Sequence, residues 1–249
     1  FRLILSTYQD GTGMLKDGDR TLPGWRDFER SVAIAFGGKA LESKWIYDVL
    51  LPAQSLSGGQ YGISCKMRGM LRTVEKQKRV TIEVSNATGE FWDAIKTAGL
   101  TQENYHTDPQ LAGKMLIQVV EQWHYKVSRE NGGVIDTDKS FYLVLQWERK
   151  SRRYQLFQFP VDLPDPHELS WQVDGRRLIG RDSLGVLFEW YGFSGGQLKY
   201  YPLTSNALWQ SSIFQLESLP NDLGDAVKQK AASYFPLLWL NAQENTNEE

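Results

Sequence analysis

The chain has 249 residues, of which 41% are hydrophobic and 23% are charged. This composition is typical of a globular protein and argues against disordered and fibrous architectures. No apolar run approaches the ~20 residues that span a bilayer, so no membrane association is expected. No secretory signal is recognisable, and the single Cys65 excludes an intramolecular disulfide. Both features favour a reducing, cytoplasmic location.

The net charge of −2 comes from 28 basic and 30 acidic residues that are unevenly distributed. The segment 241–249 contains three glutamates and is predicted to be a disordered acidic tail. Removing these three charges from −2 leaves +1, and the segment 66–79 alone carries six basic residues against one acidic residue. We interpret this segment as a solvated basic loop or, alternatively, as a surface that faces an anion.

The first half of the chain is predicted to have a helix–strand–strand–helix order, followed by a further helix. Apolar residues at helical spacing predict a helix over 23–36, which Gly37-Gly38 would end in a left-handed cap. A later helix is predicted to begin with Asp108 as N-cap and Pro109 in the first turn. The predicted elements that follow the first helix are strands at 45–51 and 61–67 and helices at 91–98 and 108–126.

After residue 133 the pattern changes to short alternating aromatic segments, which are typical of antiparallel strands. Two arginine-rich segments, 149–153 and 176–181, are placed in turns between them. A helix is predicted to close this half. The predicted elements are strands at 141–147, 154–159, 169–173, 186–190, 198–201 and 213–216 and a helix at 221–234.

This order predicts a mixed α/β (α+β) fold. We expect residues 1–133 to form a catalytic core and residues 134–240 to form a strand-rich extension. The extension would either complete that core or form a DNA-recognition subdomain.

Three polar positions interrupt apolar patterns in the first half. Asp48 lies within an apolar, strand-like run, where an uncompensated carboxylate is costly. In the next predicted strand, alternation places Ser64 and Lys66 on the face opposite Cys65. Glu29 follows Trp25 by four residues and therefore lies on or beside the apolar stripe of the first helix.

The order Glu29, Asp48, Ser64-Cys65-Lys66 resembles the PD-(D/E)xK nuclease superfamily, which includes most type II restriction endonucleases. The resemblance covers residues 23–98 and implies a central mixed sheet flanked by helices. Ser64 stands where the family usually has an acid. One branch also carries Ser-x-Lys and takes its missing carboxylate from a Glu on the following helix. Glu83 is the candidate for that acid, with Glu75 in reserve.

The resemblance implies Mg²⁺-dependent hydrolysis of a phosphodiester. Mg²⁺ prefers hard oxygen ligands, which Asp48 and Glu83 would supply, while Glu29 would bind a second ion or a water of the first. Lys66 would hold the attacking water and stabilise developing negative charge. Ser64 would keep only a hydrogen-bonding role.

Double-stranded DNA is the expected partner. Arg68 and Arg72 follow the predicted catalytic strand closely enough to reach DNA beside the scissile phosphate, and Lys76, Lys78 and Arg79 extend the same basic segment. A homodimer is expected because two-fold symmetry matches a palindromic duplex. The chain has no phosphate-binding P-loop motif, so no nucleotide cofactor is expected.

Two other functions remain compatible with the sequence. Asp48 and Lys66 could form a structural ion pair in a non-catalytic module that binds nucleic acid or another protein. The same core could also belong to a DNA-repair or modification-dependent nuclease.

Overall fold

The computed structural model describes residues 1–18, 20–41, 46–53, 59–85, 87–219, 230–238 and 240. The α-helices are α1 (Arg2–Ser6), α2 (Trp25–Phe36), α3 (Leu71–Gln77), α4 (Thr88–Thr97) and α5 (Pro109–Val127). The first seven strands are β1 (Leu15–Asp17), β2 (Arg20–Leu22), β3 (Lys39–Ala40), β4 (Val49–Pro52), β5 (Gln60–Arg68), β6 (Ile82–Ser85) and β7 (Phe141–Glu148). The others are β8 (Arg153–Pro160), β9 (Ser170–Asp174), β10 (Arg177–Asp182), β11 (Gly185–Trp190), β12 (Leu198–Tyr200), β13 (Trp209–Gln210) and β14 (Phe214–Gln215). Among the described helices, none is long and apolar enough to cross a membrane.

The larger sheet is mixed and has seven strands. Its order is β13-β8-β7-β5-β4-β3, with β14 also pairing with β8. Strands β5 and β7 run parallel, and the other neighbouring pairs are antiparallel. The expected mixed α+β class is confirmed.

The second sheet has five strands in the order β6-β12-β11-β10-β9, all antiparallel. Strand β6 comes from the first half of the chain, whereas β7 and β8 from the second half join the larger sheet. These two sheets therefore each combine strands from both sides of residue 133, whereas β1 and β2 form a separate two-stranded sheet.

Two apolar cores cover opposite faces of the larger sheet. Strand β5 sends Ile63 and Cys65 into the smaller core, where they meet Phe28 and Val32 of α2. The larger core joins the other face of this sheet to α4, α5 and the second sheet, and includes Val144 of β7. Because side chains alternate along β5, Ser64 and Lys66 lie on the face turned away from α2.

Several predicted helices and strands are confirmed. Helix α2 ends at Gly37, whose φ of 67° is the left-handed cap expected from the sequence. The Asp108 side chain accepts a hydrogen bond from the backbone N–H of Leu111, with Pro109 in the first turn of α5. The predicted strand at 45–51 is shorter than expected because β4 begins at Val49, and residue 45 lies outside the described part.

Two predictions need correction, and a third lies largely outside the described residues. The segment 66–79 is not a loop, since it contains the end of β5 and then α3, which buries Leu71 and Val74 three residues apart. Residues 177–182 form β10 rather than a turn, because Leu178 and Ile179 are buried beyond the hairpin at Gly175. The closing helix is described only for 230–234, since 221–229 and the expected tail at 241–249 lie outside the described residues.

The packing of α5 on β9 generates a stability prediction. A Cβ added at Gly113 would overlap the ring of Trp171, whereas one added at Gly89 in α4 would meet no atom within 4 Å. Gly113→Ala should lower the free energy of unfolding by about 1–3 kcal/mol through overpacking. Gly89→Ala should be neutral or stabilising by up to about 1 kcal/mol, because alanine is the better helix former. Urea unfolding midpoints test this, and equal effects at the two positions would contradict the packing.

Candidate functional site

Asp48 lies directly before β4 and is held beside β5 by backbone pairing. In the antiparallel register Val49 faces Ile63, so Asp48 is placed opposite Ser64. The Asp48 backbone N–H donates to the Ile63 carbonyl at 3.0 Å. The pairing of two short strands therefore brings together residues that are 16 positions apart in the sequence.

The Asp48 carboxylate is satisfied by groups from β5. Its Oδ2 accepts the Cys65 backbone N–H at 2.7 Å and lies 3.4 Å from the donating Ser64 hydroxyl. The Lys66 ammonium lies 3.6 Å from the same oxygen. Among the described residues, none donates a hydrogen bond to Oδ1. Oδ2 is thus held by three groups of β5.

The two faces of β5 differ as predicted. Ser64 and Lys66 meet Asp48, while the buried Cys65 side chain packs in the core under α2. Burial, together with the negative charges of Asp48 and Glu29, holds the pKa of the Cys65 thiol well above its ordinary value. Cys65 is therefore a protonated core residue at neutral pH, and its backbone N–H serves the site.

Glu29 on α2 is electrostatically coupled to this site. Burial and the charge of Asp48 raise the pKa of Glu29 to about 7, and Lys66 opposes part of that shift. The shift shows that Glu29 and Asp48 repel each other when both are ionised. A cation between or beside them would relieve this repulsion.

A cleft of about 550 Å³ opens beside Asp48, Ser64 and Lys66. Glu90, in the first turn of α4, also lines it. The Glu90 Oε2 accepts the indole N–H of Trp123 at 2.7 Å, which fixes the carboxylate against α5. The cleft therefore holds a second acid that the sequence did not single out.

Neither predicted substitute for the missing acid lines this cleft. Glu83 on β6 forms an ion pair with Arg68, and its backbone is paired with Lys199 of β12. Glu75 on α3 makes a bidentate pair with Arg153 at 2.6 and 2.8 Å. These bonds lower the pKa of the Glu75 carboxyl below its ordinary value. Both carboxylates are thus held by arginines.

The sequence contained one usable signal for Glu90. It immediately precedes the predicted helix at 91–98 and lies in the first helical turn, where an acid is favoured by the helix dipole. Its place in the cleft could not be read from this signal, because it depends on how α4 packs against α5.

The predicted DNA-binding residues divide into two groups. Arg68 pairs with Glu83, and Arg79 donates to the Tyr201 carbonyl at 2.7 Å and pairs with Asp182 at 3.2 Å. Arg72 and Lys76 on α3, with Lys78 at its C-terminal end, are exposed. The exposed group begins four residues after the end of β5 and is the part of the basic segment that solvent or a ligand can reach.

Metal binding by the protein alone is not evident from the side chains. Within the described ranges, no three His, Cys, Asp or Glu side chains are grouped closely enough to hold an ion. Mg²⁺, however, is usually bound through one or two carboxylates together with water and substrate phosphate. Asp48 and Glu90 are two carboxylates that line the same cleft.

Comparisons with known proteins give no independent assignment. No protein-family model, no curated protein and no solved structure matches the chain. Only the geometry of the site therefore bears on function.

The raised pKa of Glu29 predicts a pH-dependent stability. Ionisation of Glu29 opposes folding, so its penalty is absent below about pH 4.5 and grows as the pH rises through about 7. Glu29→Gln removes this penalty, and its stability relative to the unsubstituted protein should therefore increase between pH 5 and pH 8. Urea unfolding in the presence of a metal chelator measures the difference.

Glu103→Gln is the matched control for this experiment. The pKa of Glu103 lies below its ordinary value because the Thr101 side chain and the backbone stabilise the carboxylate. Its difference from the unsubstituted protein should not grow over the same range. A flat pH profile for Glu29→Gln would contradict the raised pKa of Glu29.

Proposed function

We propose that the protein is a Mg²⁺-dependent endonuclease of restriction type that cleaves double-stranded DNA. The observation that supports this function best is the meeting of Asp48, Lys66 and Glu90 at one cleft. An ion pair alone would also fit a structural role, because opposite charges stabilise each other when half-buried. A second acid, Glu90, and an open volume beside the Asp48–Lys66 pair favour a catalytic role over a purely structural one.

Asp48 and Glu90 are the residues proposed to hold Mg²⁺. Asp48 has one oxygen engaged by the Cys65 N–H and Oδ1 without a donor among the described residues, and Glu90 has one oxygen engaged by Trp123. Each can therefore offer a carboxylate oxygen without breaking its supporting hydrogen bond. When bound, the ion would neutralise phosphate charge and make water a better nucleophile. Glu90 takes the role that Glu83 was predicted to fill.

Lys66 is proposed to act on the nucleophile and the phosphate. Its ammonium lies at the cleft, where it can hold the attacking water and stabilise negative charge as it develops on the phosphate oxygens. In the reaction a bond forms between water and phosphorus, and the bond from phosphorus to the leaving sugar oxygen breaks. The water gives up one proton, and the leaving oxygen takes one.

Glu29 and Ser64 are proposed to have supporting roles. Ser64 shares Asp48 Oδ2 with the Cys65 N–H, so it keeps the carboxylate oriented without supplying charge. The charges of Asp48 and Lys66 both act on the Glu29 carboxyl, which would ionise more readily when a cation is present. It could then accept a hydrogen bond from a water of the ion.

The exposed residues Arg72, Lys76 and Lys78 are proposed to meet DNA phosphates. They lie on and just after the helix that follows the catalytic strand. Phosphate contacts position a protein on DNA and depend on salt, but they carry little sequence information. A homodimer belongs to this proposal, because each cut duplex has two equivalent strands. A cytoplasmic location also belongs to it, because the only cysteine in the sequence, Cys65, is a buried thiol.

Removal of Asp48 or Lys66 tests the proposed activity. Asp48→Asn and Lys66→Ala should each lower the rate of Mg²⁺-dependent cleavage by about a hundredfold or more. Gel analysis of several long DNA duplexes, both unmodified and methylated, provides the measurement. Asp93→Asn and Lys96→Ala are matched controls, because they break an exposed ion pair of the same kind on α4.

The pattern of fragments separates the candidate functions. Discrete fragments from unmodified DNA that disappear in both variants would support a restriction enzyme, and cutting of methylated DNA alone would support a modification-dependent enzyme. A protein that only shifts DNA on a gel would support the binding module. Normal cutting by Asp48→Asn or Lys66→Ala would contradict the proposed site.

The assignment of Glu90 has its own test. Glu90→Gln should reduce cleavage at least about tenfold, equivalent to about 1.4 kcal/mol in the barrier, and should raise the Mg²⁺ concentration needed for half-maximal rate. Glu83→Gln removes a partner of Arg68 rather than a cleft carboxylate, so its effect should be smaller. Glu75→Gln serves as a further comparison. A larger loss of cleavage in Glu83→Gln than in Glu90→Gln would indicate that Glu83, and not Glu90, is the second acid that holds Mg²⁺.

A further inference from the structure

The cleft contains more than the charged residues that the proposed hydrolysis uses. Beside the charged residues, the lining includes Val84, Ala87, Val120, Trp123, His124 and Tyr142. A phosphate and a hydrated cation gain little from the aliphatic and aromatic carbon of these side chains, because both are strongly polar. This part of the cleft therefore calls for a ligand group of a different kind.

The volume of the cleft leads to the same conclusion. About 550 Å³ lies within the range of ~300–1,000 Å³ that is typical of pockets for small organic molecules. Such pockets combine apolar walls with a few polar groups that fix orientation. The cleft is more polar than such a pocket, but Asp48, Lys66 and Glu90 line it together with the aromatic rings of Trp123, His124 and Tyr142.

The two aromatic rings on α5 are held by neighbouring groups. Trp123 packs on Phe91 with ring centroids 5.5 Å apart and donates its indole N–H to Glu90. His124 stacks on Tyr47 with centroids 5.9 Å apart and an interplanar angle of 16°. Burial lowers the pKa of His124 to about 4, so its ring is uncharged at neutral pH. A flat ligand would meet two rings that are already ordered, which reduces the entropic cost of stacking.

We infer that the cleft holds the base of the nucleotide next to the cleaved phosphodiester, stacked against Trp123 and His124. The inference rests on the proposed function and adds the form of the substrate, namely DNA with one nucleotide taken out of the helical stack. Every base offers a flat π-face, so aromatic stacking of this kind tolerates any sequence. The base would also carry the adjacent phosphate towards Lys66 and Asp48.

An oligonucleotide binding experiment tests the inference without requiring the recognition sequence. The probes are a fluorescent 12-nucleotide oligo(dT) and a 12-nucleotide strand of abasic sites, measured by anisotropy in Mg²⁺. The protein carries Asp48→Asn so that the probes are not cleaved. Stacking of bases on aromatic side chains predicts about tenfold tighter binding of oligo(dT) than of the abasic strand.

Substitutions at Trp123 separate stacking from the hydrogen bond to Glu90. Trp123→Ala, in the Asp48→Asn background, should remove most of the preference for oligo(dT). Trp123→Phe should retain it, although both changes delete the bond to Glu90. The matched control is Trp209→Ala, which removes a half-exposed indole from β13 and should leave the preference unchanged.

His124 provides a second test in case Trp123→Ala fails to fold, which circular dichroism would reveal. His124→Ala should weaken the preference and His124→Phe should preserve it. Equal binding of oligo(dT) and the abasic strand by the Asp48→Asn protein would overturn the inference. So would an undiminished preference in Trp123→Ala and His124→Ala.

The cleavage assay keeps this result distinct from the proposed function. Mg²⁺-dependent cutting combined with equal binding of the two probes would overturn base stacking and leave the nuclease proposal intact. A preference for oligo(dT) that depends on Trp123, without cutting of any duplex, would support the stacking surface and overturn the nuclease proposal. Absence of both binding preference and cutting would overturn both.

Discussion

The candidate site depends on the hydrogen bond from the Cys65 backbone N–H to the Asp48 carboxylate. It joins the residue before β4 to the middle of β5 and fixes the register of the two strands at the cleft. A slip of one residue would exchange the two faces of β5, turning Lys66 towards the α2 core and Cys65 towards the cleft. The core residues Ile63 and Phe28 oppose such a slip. Packing on one face of the sheet therefore maintains the charge arrangement on the other.

The same arrangement carries an electrostatic cost that points to its function. Burial and, after it, the charge of Asp48 raise the pKa of Glu29, and Glu90 adds a further carboxylate at the cleft. The charges of Lys66, Arg26 and Arg30 oppose only part of this shift. Proteins tolerate such sites where a cation or a charged transition state makes use of them. The proposed Mg²⁺ binding explains the acids and the lysine together, whereas a structural ion pair explains only two of these groups.

Local sequence patterns predicted much of the first half of the fold. The spacing of Trp25, Phe28 and Val32, the stop at Gly37 and the cap at Asp108 are all determined by short-range stereochemistry. The alternation in β5 likewise placed Ser64 and Lys66 on one face. The prediction of a loop at 66–79 is wrong because the many charged residues of this segment obscure the apolar residues Leu71 and Val74, which α3 buries.

The position of the second acid could not be predicted in the same way. Strand β6 pairs with β12, so the direction of Glu83 is determined by a partner far along the chain. Glu90 reaches the cleft only because α4 packs against α5 and Trp123 holds its carboxylate. A resemblance based on the order of residues indicated that an acid was missing, but only the tertiary packing brings Glu90 to the cleft that Asp48 and Lys66 line.

The most direct test of this account is the location of a divalent ion in crystals of the protein grown with Mn²⁺. Manganese shares the oxygen preference of Mg²⁺ and can be located by its anomalous scattering. The account predicts an anomalous peak in the cleft, in contact with carboxylate oxygens of Asp48 and Glu90, and its loss in Asp48→Asn. A peak at Glu83 with none at Asp48, or a cleft without bound metal at saturating Mn²⁺, would contradict it.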